Sequence, residues 1–272
     1  MPAKSAALQL LYLARNWRSR ALFEVLRRHA RGRVLDIGGS DFFLAVRTRR
    51  VPFESWTAIE PEPERSPRID DPRYRLLRGD GCRMEFADAS FDTVLAVQVL
   101  EHVFEPIRMV GEMGRVLVPG GCAILLVPQT GTMHIAPRWY GNLSRYWIRD
   151  AVARAGLEIV ELRPLGGFWS STASRLFYFF LQSFRFEGMS SPECRRNAFF
   201  YLLWPIMAVF AAIAIPVCLL LSLGDLAEEP NNHLVVARKA TGLTGLRVEE
   251  EAVAPAGRGR RDERATGTGL LP

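Results

Sequence analysis

The fold is decided by the stretch Arg33-Val34-Leu35-Asp36-Ile37-Gly38-Gly39-Ser40-Asp41-Phe42-Phe43-Leu44, a β-branched and apolar run that passes through an Asp into small residues. This order predicts a buried strand, a tight turn and the start of a helix. In an open α/β sheet, nucleotide-like ligands bind in the crevice beyond the carboxyl ends of the strands. The small residues of the turn would let the backbone approach such a ligand closely.

The turn resembles motif I of the class I S-adenosylmethionine (SAM)-dependent methyltransferases, whose usual form is Asp-x-Gly-x-Gly-x-Gly. Asp36 and Gly38 match the motif, whereas Ser40 and Phe42 stand where its second and third glycines would be. The resemblance implies that Asp36, Gly38, Gly39 and Ser40 form the cofactor site, with the Phe42 ring pointing away from it. A NAD-binding turn would carry Gly-x-Gly-x-x-Gly, and the later glycines are missing here.

Two further predicted strands end in acidic residues. Residues 56–60 predict a strand that ends in Glu60, and the resemblance implies that this carboxylate accepts hydrogen bonds from the ribose hydroxyls of SAM. The next strand leads into a turn that resembles the family's Gly-Asp-Ala segment, which implies adenine contacts from Asp80, Gly81 and Cys82. The simpler alternatives are a solvated Glu at a strand end and an ordinary turn Asp before Gly.

The most specific resemblance lies in residues 86–103, which match the family pattern Pro-Phe-x-Asp-x-Ser-Phe-Asp-x-Val…Leu-Glu-His-Val. The continuous apolar run within it predicts a buried parallel strand. Gln98 and His102 then fall at the carboxyl end of that strand, in the ligand crevice. Gln98 is a predicted cofactor contact. His102 either contacts the ligands or acts as a base, or it supports the loop together with Glu101.

The fifth strand is predicted at residues 122–127, after a helix that ends in a turn at residues 118–121. A second family pattern follows this strand, in a loop expected to lie over the strand ends. One branch of the family has His-x-x-Pro-x-Asp-Tyr-x-Arg-x-Thr there, and His134 and Tyr140 match it as acid/base or positioning groups. Trp139 replaces the Asp and Asn142 the Arg, which favours a more apolar substrate mouth. Ser144 replaces the Thr and is expected to cap the next helix.

These elements predict an α/β fold, a Rossmann-like seven-stranded class I methyltransferase sheet. The expected strand order is 3-2-1-4-5-7-6, with an antiparallel strand 7 at residues 232–239 and a hydrophobic helical insertion between strands 6 and 7. The predicted regions are a basic amphipathic helix (1–30), the SAM-binding domain (31–167 and 230–240), the insertion (168–229) and a disordered tail (241–272).

The insertion contains residues 198–223, 26 positions without a charged side chain, which is long enough to cross a bilayer. One crossing would place strand 7 on the opposite side of the membrane from the other strands, so a single span is excluded. A re-entrant hairpin, an interfacial pair, and a helix buried against the domain or a second subunit remain open. Pro205 and Pro216 supply bends for a hairpin. Monotopic membrane association is favoured.

Charge and cysteine content indicate the partners and the compartment to expect for this protein. The net charge is +6, and residues 1–33 alone carry eight Lys/Arg and one Glu. Apolar residues recur at helical spacing within residues 4–30, which predicts a basic amphipathic helix. This helix either packs on the domain or lies on an anionic membrane surface, with Trp17 near the headgroups. Four scattered cysteines argue against zinc and disulfides, so no metal ligands are assigned and a reducing cytosol is expected. Nucleic acid is not an expected partner.

The sequence thus predicts a SAM-dependent methyltransferase with His102, His134 and Tyr140 as candidate catalytic residues. The expected acceptor is an apolar small molecule or a lipid-linked one, at the cytoplasmic face of the inner membrane. Two alternatives remain open. One is a degenerate member of the family that binds or scaffolds without catalysis, and the other is a soluble, homodimeric small-molecule methyltransferase.

Overall fold

A single seven-stranded sheet organises the computed structural model, which describes residues 19–135, 137–185, 189, 191 and 193–241. The strand order is β3-β2-β1-β4-β5-β7-β6, and β7 pairs antiparallel with both β5 and β6, as predicted. The strands are β1 (Arg33–Ile37), β2 (Ser55–Glu60), β3 (Tyr74–Arg78), β4 (Phe91–Val97), β5 (Leu117–Pro128), β6 (Leu157–Leu165) and β7 (Asn232–Lys239).

Six α-helices accompany the sheet in the part of the chain that the structure describes. Their bounds are 19–29 for the described part of α1, then α2 (Phe42–Thr48), α3 (Pro106–Val116), α4 (Arg145–Arg154), α5 (Phe168–Ser183) and α6 (Ala198–Leu221). The predicted Ser144 cap is present, because its hydroxyl accepts a hydrogen bond from the Trp147 amide at 3.3 Å. Gly156 ends α4 with a φ of +70°.

Alternate residues of the strands feed two core layers, one on each face of the sheet. The first layer joins Leu35 and Val94 to Met113 of α3 and Val152 of α4. The second layer joins Val34, Leu95 and Trp56 to the apolar residues of α1 and α2, which are Leu22, Phe23, Val25, Leu26, Phe43 and Val46. Helices therefore cover both faces, which leaves the strand ends as the place for a ligand.

The described part of α1 packs on the domain. Leu22, Phe23, Val25 and Leu26 are at most 3% exposed, and a fully buried side chain of this size stabilises a fold by about 1.5–3 kcal/mol. The alternative prediction, that this apolar face lies on a membrane, is wrong for residues 19–29. Trp17, the predicted headgroup contact, and the predicted tail beyond residue 241 lie outside the described residues.

The start of β5 differs from the prediction. The sequence predicted that residues 118–121 form a turn and that the strand begins at Cys122, whereas β5 begins at Leu117 and pairs with Phe91 of β4. The register shifts between Phe91 and Thr93, and Gly120 has a φ of +76°. Glycine tolerates this backbone, so the Pro-Gly-Gly segment bulges inside the strand instead of ending it.

The predicted insertion is a helical hairpin made of α5 and α6, which pack together. Its base is closed by hydrogen bonds. The Phe168 amide donates to the Leu226 carbonyl at 3.0 Å, and the Trp169 and Ser170 amides donate to the Asp225 carboxylate at 2.7 and 3.1 Å. Both ends of the hairpin therefore join the sheet at one point, between β6 and β7.

The outer face of α6 is apolar and exposed. Phe210, Ile213 and Leu202 are 64%, 62% and 69% exposed. Among the described residues, the segment Ala198–Gly224 is long and apolar enough to cross a membrane, and 11% of its most apolar window is buried in the protein. Burial against the domain, one of the alternatives for this segment, is therefore wrong.

Two glycine substitutions should have opposite effects on stability. A side chain at Gly156 meets nothing within 4 Å, but its φ of +70° penalises an L-residue by about 1–2 kcal/mol. Gly111 lies inside α3 with equally open space, where alanine is favoured by about 0.5–1 kcal/mol. Gly156→Ala should thus lower the free energy of unfolding in urea and Gly111→Ala should raise it. Equal effects would contradict the two backbone conformations.

Candidate functional site

The turn after β1 rests on a buried acid. The Asp36 side chain is 1% exposed, and its Oδ2 accepts a hydrogen bond from Trp56 Nε1 at 3.1 Å. Burial raises the pKa of Asp36 to about 8, and the Trp56 hydrogen bond opposes that shift. Asp36 lies directly against Gly39, where a Cβ atom would overlap its carboxylate. Asp36 therefore packs beneath the turn, and its predicted contact with a cofactor stays a prediction.

The turn itself needs its first glycine. Gly38 has a φ of +67°, and a Cβ atom there would lie 2.7 Å from Cγ2 of Val99, which follows β4. Its amide donates to the Ile59 carbonyl at the end of β2, at 2.9 Å. The turns after β1 and β4 thus meet in close contact. This is the point where the strand order reverses direction, and ligands of open α/β sheets bind there.

Glu60 closes this crevice on the β2 side. Its Oε1 accepts a hydrogen bond from the Ser40 amide at 2.8 Å, and the Ser40 carbonyl accepts one from the Tyr74 hydroxyl at 3.3 Å. Burial raises the pKa of Glu60, and the Ser40 hydrogen bond partly offsets that rise. The ring of Phe42, which stands where motif I has its third glycine, stacks on Phe23 of α1 with a centroid distance of 5.6 Å. Contact with α1 therefore fixes the position of this ring.

The β3 turn is tight and internally bonded. Asp80 Oδ1 accepts a hydrogen bond from the Cys82 amide at 2.8 Å, which is the geometry of an ordinary Asx turn. A Cβ atom at Gly81 would overlap Met109 and lie 2.8 Å from Ile37. The adenine contacts of Asp80, Gly81 and Cys82 stay predictions, and the structure places all three at the same edge of the sheet as Glu60.

Gln98 joins β4 to the far half of the sheet. Its backbone has a φ of +58°, and its Nε2 donates to Asn232 Oδ1 at 2.8 Å and to the Leu126 carbonyl at 3.4 Å. The side chain is therefore engaged with β5 and β7. Its predicted contact with a cofactor stays a prediction.

Two predicted catalytic residues come together at the carboxyl end of β4. His102 Nε2 and His134 Nε2 are 3.2 Å apart, although the residues are 32 positions apart in the chain. Burial lowers the pKa of His102, the neighbouring His134 lowers it further, and a hydrogen bond with the Arg138 carbonyl opposes both effects. Trp139 packs against both rings, with centroid distances of 5.5 Å to His102 and 4.6 Å to His134.

Tyr140, the third candidate, points elsewhere. Its ring is 54% exposed and packs edge-on against Phe104 at 5.6 Å. Its amide donates to the Glu101 carbonyl at 2.8 Å, so the residue anchors the loop through its backbone. The structure thus brings together the two histidines and leaves the Tyr140 hydroxyl at the surface.

The loop that carries His134 also contacts both neighbouring parts of the cleft. Arg138 Nη2 forms an ion pair with Glu62 Oε1 at 2.6 Å, two residues beyond Glu60. The rings of His134 and Tyr178 of α5 lie 6.5 Å apart. An open cavity of about 230 Å³ lies beside this loop, between the hairpin helices, and is lined by Met133, Phe179, Gln182, Ser183, Arg185, Ser191, Cys194, Arg195, Arg196 and Phe200.

Sequence reasoning missed three residues of the site. Trp56 pairs with Val34 in the β1–β2 register, which places it on the same face as Asp36. Strand alternation could have revealed that contact once the pairing was known. Glu101 was considered only as a loop support, yet it is 1% exposed, and its carboxylate oxygens have no hydrogen-bond partner in the described part of the chain. No sequence pattern indicated that Asn232 would hold the Gln98 side chain.

Comparison with known proteins gives the family of this domain. Residues 35–125 match the family model described as a methyltransferase domain. The chain is 40% identical over 95 residues to an uncharacterised methyltransferase of Mycobacterium sp. (strain KMS), covering 34% of this chain and 37% of that protein. It is also 40% identical over 103 residues to one of Mycobacteroides abscessus, covering 35% and 39%. Residues 35–125 of this chain are therefore similar to the domain of known methyltransferases.

Solved structures agree on the fold of this methyltransferase domain. A putative methyltransferase of Haloferax volcanii, in complex with the Trm112 methyltransferase activator, superposes with a TM-score of 0.53 at 16% identity, covering 84% of this chain and 91% of that one. The [4+2]-cyclase SpnF superposes at 0.50 with 20% identity, covering 82% and 81%. The chain matches just over a third of the length of these mycobacterial relatives.

Replacing Asp36 by Asn should change how stability depends on pH. The usual pKa of Asp is about 3.9, so between pH 4 and 8 the folded chain holds a proton here that the unfolded chain has lost. Asp36 does not lower the free energy of unfolding below about pH 4. Between pH 4 and pH 8 it lowers the free energy of unfolding by at most about 1.4 kcal/mol per pH unit. The Asp36→Asn side chain cannot ionise.

Asp36→Asn should therefore gain stability over the wild type increasingly from pH 5 to pH 8, as measured by urea unfolding of the ligand-free protein. Asp70→Asn, at an exposed carboxyl, is the matched control. A difference that stays constant across this pH range would show that Asp36 is ionised in the folded protein.

Proposed function

We propose that this protein binds SAM and transfers its methyl group to an apolar or lipid-linked acceptor at the surface of a membrane. The observation that carries the proposal is the arrangement at the strand-order reversal, where the Ser40 amide meets the Glu60 carboxylate above the close-packed Gly38 turn. A carboxylate at the end of β2 is an acceptor suited to the two ribose hydroxyls of SAM. SAM supplies the methyl group when bound.

The acceptor side of the cleft follows from the same geometry. His102, His134 and Trp139 lie beyond the ends of β4 and β5, on the other side of the switch point from Glu60. The Trp139 ring gives this side an apolar surface, and the two imidazoles add polar nitrogen atoms to it. Positioning the acceptor against the donor there would supply much of the rate, because oriented reactants avoid a large entropic cost.

The membrane part of the proposal is based on the hairpin. α5 and α6 leave the sheet between β6 and β7, at the strand-end edge that carries the cleft, and α5 brings Tyr178 to the His134 loop. The exposed apolar face of α6 would be buried in lipid, and its base returns to the cytoplasmic side together with β7. Arg185, Arg195 and Arg196 near the hairpin tip are suited to anionic headgroups. A cytoplasmic enzyme on the inner membrane face would have this arrangement.

Cofactor binding can be measured directly with S-adenosylhomocysteine, by calorimetry on the purified full chain. Removing the Glu60 carboxylate should weaken binding about 10- to 100-fold, since a hydrogen bond to a charged group is worth about 1.5–3 kcal/mol. Glu60→Ala is the test variant, and Glu158→Ala, at an exposed position of the edge strand β6, is the control. If the wild type binds no S-adenosylhomocysteine, the scaffold alternative is favoured.

Membrane binding can be tested by flotation with vesicles that contain anionic phospholipid, compared with purely zwitterionic vesicles. The wild type should float, and more so with anionic lipid. The double variant Phe210→Glu/Ile213→Glu should lose more than about 90% of the bound fraction, because a charge in the apolar core of a bilayer costs about 2.5–3.5 kcal/mol. Val160→Glu is the control, since Val160 is 53% exposed on β6.

The soluble-homodimer alternative predicts the opposite result for the wild type and the double variant. A chain that stays in solution without detergent or lipid, sediments as a dimer, and becomes monomeric with Phe210→Glu/Ile213→Glu would overturn the membrane proposal. In that case the apolar face of α6 is a subunit interface.

A further inference from the structure

Backbone carbonyls fix the protonation of both site histidines on the same ring nitrogen. His102 Nδ1 lies 2.6 Å from the Arg138 carbonyl oxygen, and His134 Nδ1 lies 3.0 Å from the Thr132 carbonyl oxygen. A carbonyl oxygen can only accept, so each Nδ1 must donate its N–H. In a neutral imidazole the other nitrogen, Nε2, then carries a lone pair and no hydrogen.

The two Nε2 atoms lie close together, in rings whose centroids are 4.8 Å apart and whose planes cross at 87°. His102 Nε2 and His134 Nε2 are 3.2 Å apart, which is a hydrogen-bond distance without a hydrogen if both rings are neutral. Two acceptors repel each other at this distance unless a positive charge lies between them. The arrangement therefore calls for a cation, either a metal ion or an additional proton shared by the pair.

A third potential ligand completes the cluster. Glu101 Oε1 is 3.9 Å from His102 Nε2, and one ligand atom from each of Glu101, His102 and His134 lies within 4.8 Å of the others. The Glu101 side chain is fully buried, and neither of its carboxylate oxygens has a hydrogen-bond partner among the described residues. A buried carboxylate without a partner is costly, and binding a metal ion removes that cost.

We propose that Glu101, His102 and His134 bind a divalent first-row metal ion, with Zn²⁺ as the best-fitting example. Two nitrogens at about 2.0–2.1 Å from a tetrahedral zinc are about 3.3 Å apart, close to the 3.2 Å between the two Nε2 atoms. Metal-bound histidines usually donate their other N–H to a carbonyl or carboxylate, as both rings do here. Two histidines and one carboxylate leave at least one coordination position open.

The position of this site gives it access to the cleft. Glu101 and His102 follow β4, and His134 lies in the loop after β5, so the open position would face the acceptor side rather than Glu60. The cysteine pattern carried no zinc signal because none of the three ligands is a cysteine. The proposed metal site does not depend on methyl transfer, since metal binding can be measured without SAM.

The experiment measures Zn²⁺ affinity by competition with a chromogenic chelator, on the full-length protein after treatment with EDTA. The wild type should bind one Zn²⁺ per chain. Loss of an outer-shell partner alone weakens metal binding about 10- to 100-fold, so His134→Asn and Glu101→Gln should each weaken it about 100-fold or more. His29→Asn, which removes a histidine from α1, should bind Zn²⁺ like the wild type.

Replacement by Co²⁺ gives a second readout, because a tetrahedral site with two imidazoles absorbs visible light and the His134→Asn variant should not. Circular dichroism and thermal unfolding show whether each variant is folded. If a variant is unfolded, His102→Asn is used in its place in the affinity measurement. Equal Zn²⁺ affinity in wild type and His134→Asn, or no binding by the wild type, would overturn the proposal. A pair that instead shares a proton would show one imidazolium by nitrogen NMR of the metal-free and Zn²⁺-treated protein alike.

Discussion

The pairing of β7 with both β5 and β6 is the constraint on which the rest of the structure depends. Because β7 is antiparallel, it begins at the edge of the sheet where β5 and β6 end. Whatever connects β6 to β7 must therefore leave and return at that edge. A two-residue turn would suffice, and the chain uses the α5–α6 hairpin instead. The position of the hairpin beside the cleft is thus a result of strand topology.

The same pairing organises the polar residues around the cleft. Asn232, the first residue of β7, holds the Gln98 side chain after β4, and His233 Nε2 lies 2.6 Å from Gln129 Oε1 at the end of β5. Burial lowers the pKa of His233 to about 4, so this ring is neutral at physiological pH. His233 therefore adds no charge to the far half of the cleft.

The sequence was sufficient for the fold because strong local signals coincide with the strand ends. Small residues after β1, an acid after β2 and the motif after β4 all lie where a parallel sheet places ligands. The start of β5 was predicted wrongly because a Pro-Gly-Gly segment after a helix normally forms a turn, and only the register with Phe91 shows that it bulges inside the strand. Local sequence does not contain that long-range pairing.

The site was harder to predict because its important contacts join distant segments. No spacing rule brings His102 to His134, or Trp56 to Asp36, since these pairs meet only after the sheet has formed. Motif matching identified both histidines as candidates but could not show that they are in contact. It also identified Tyr140 as a candidate, and the ring of Tyr140 lies at the surface. Matching a pattern identifies residue types, and the loop conformation decides which of them reach the cleft.

Arg138 joins the two halves of the cleft. Its backbone carbonyl holds the ring of His102, while its guanidinium holds Glu62, close to the acid that faces the β1 turn. A movement of the segment after β2, such as one that admits a ligand, must pull on the same residue that orients the imidazole. One residue is therefore the structural connection between the acidic turn after β2 and the imidazole after β4.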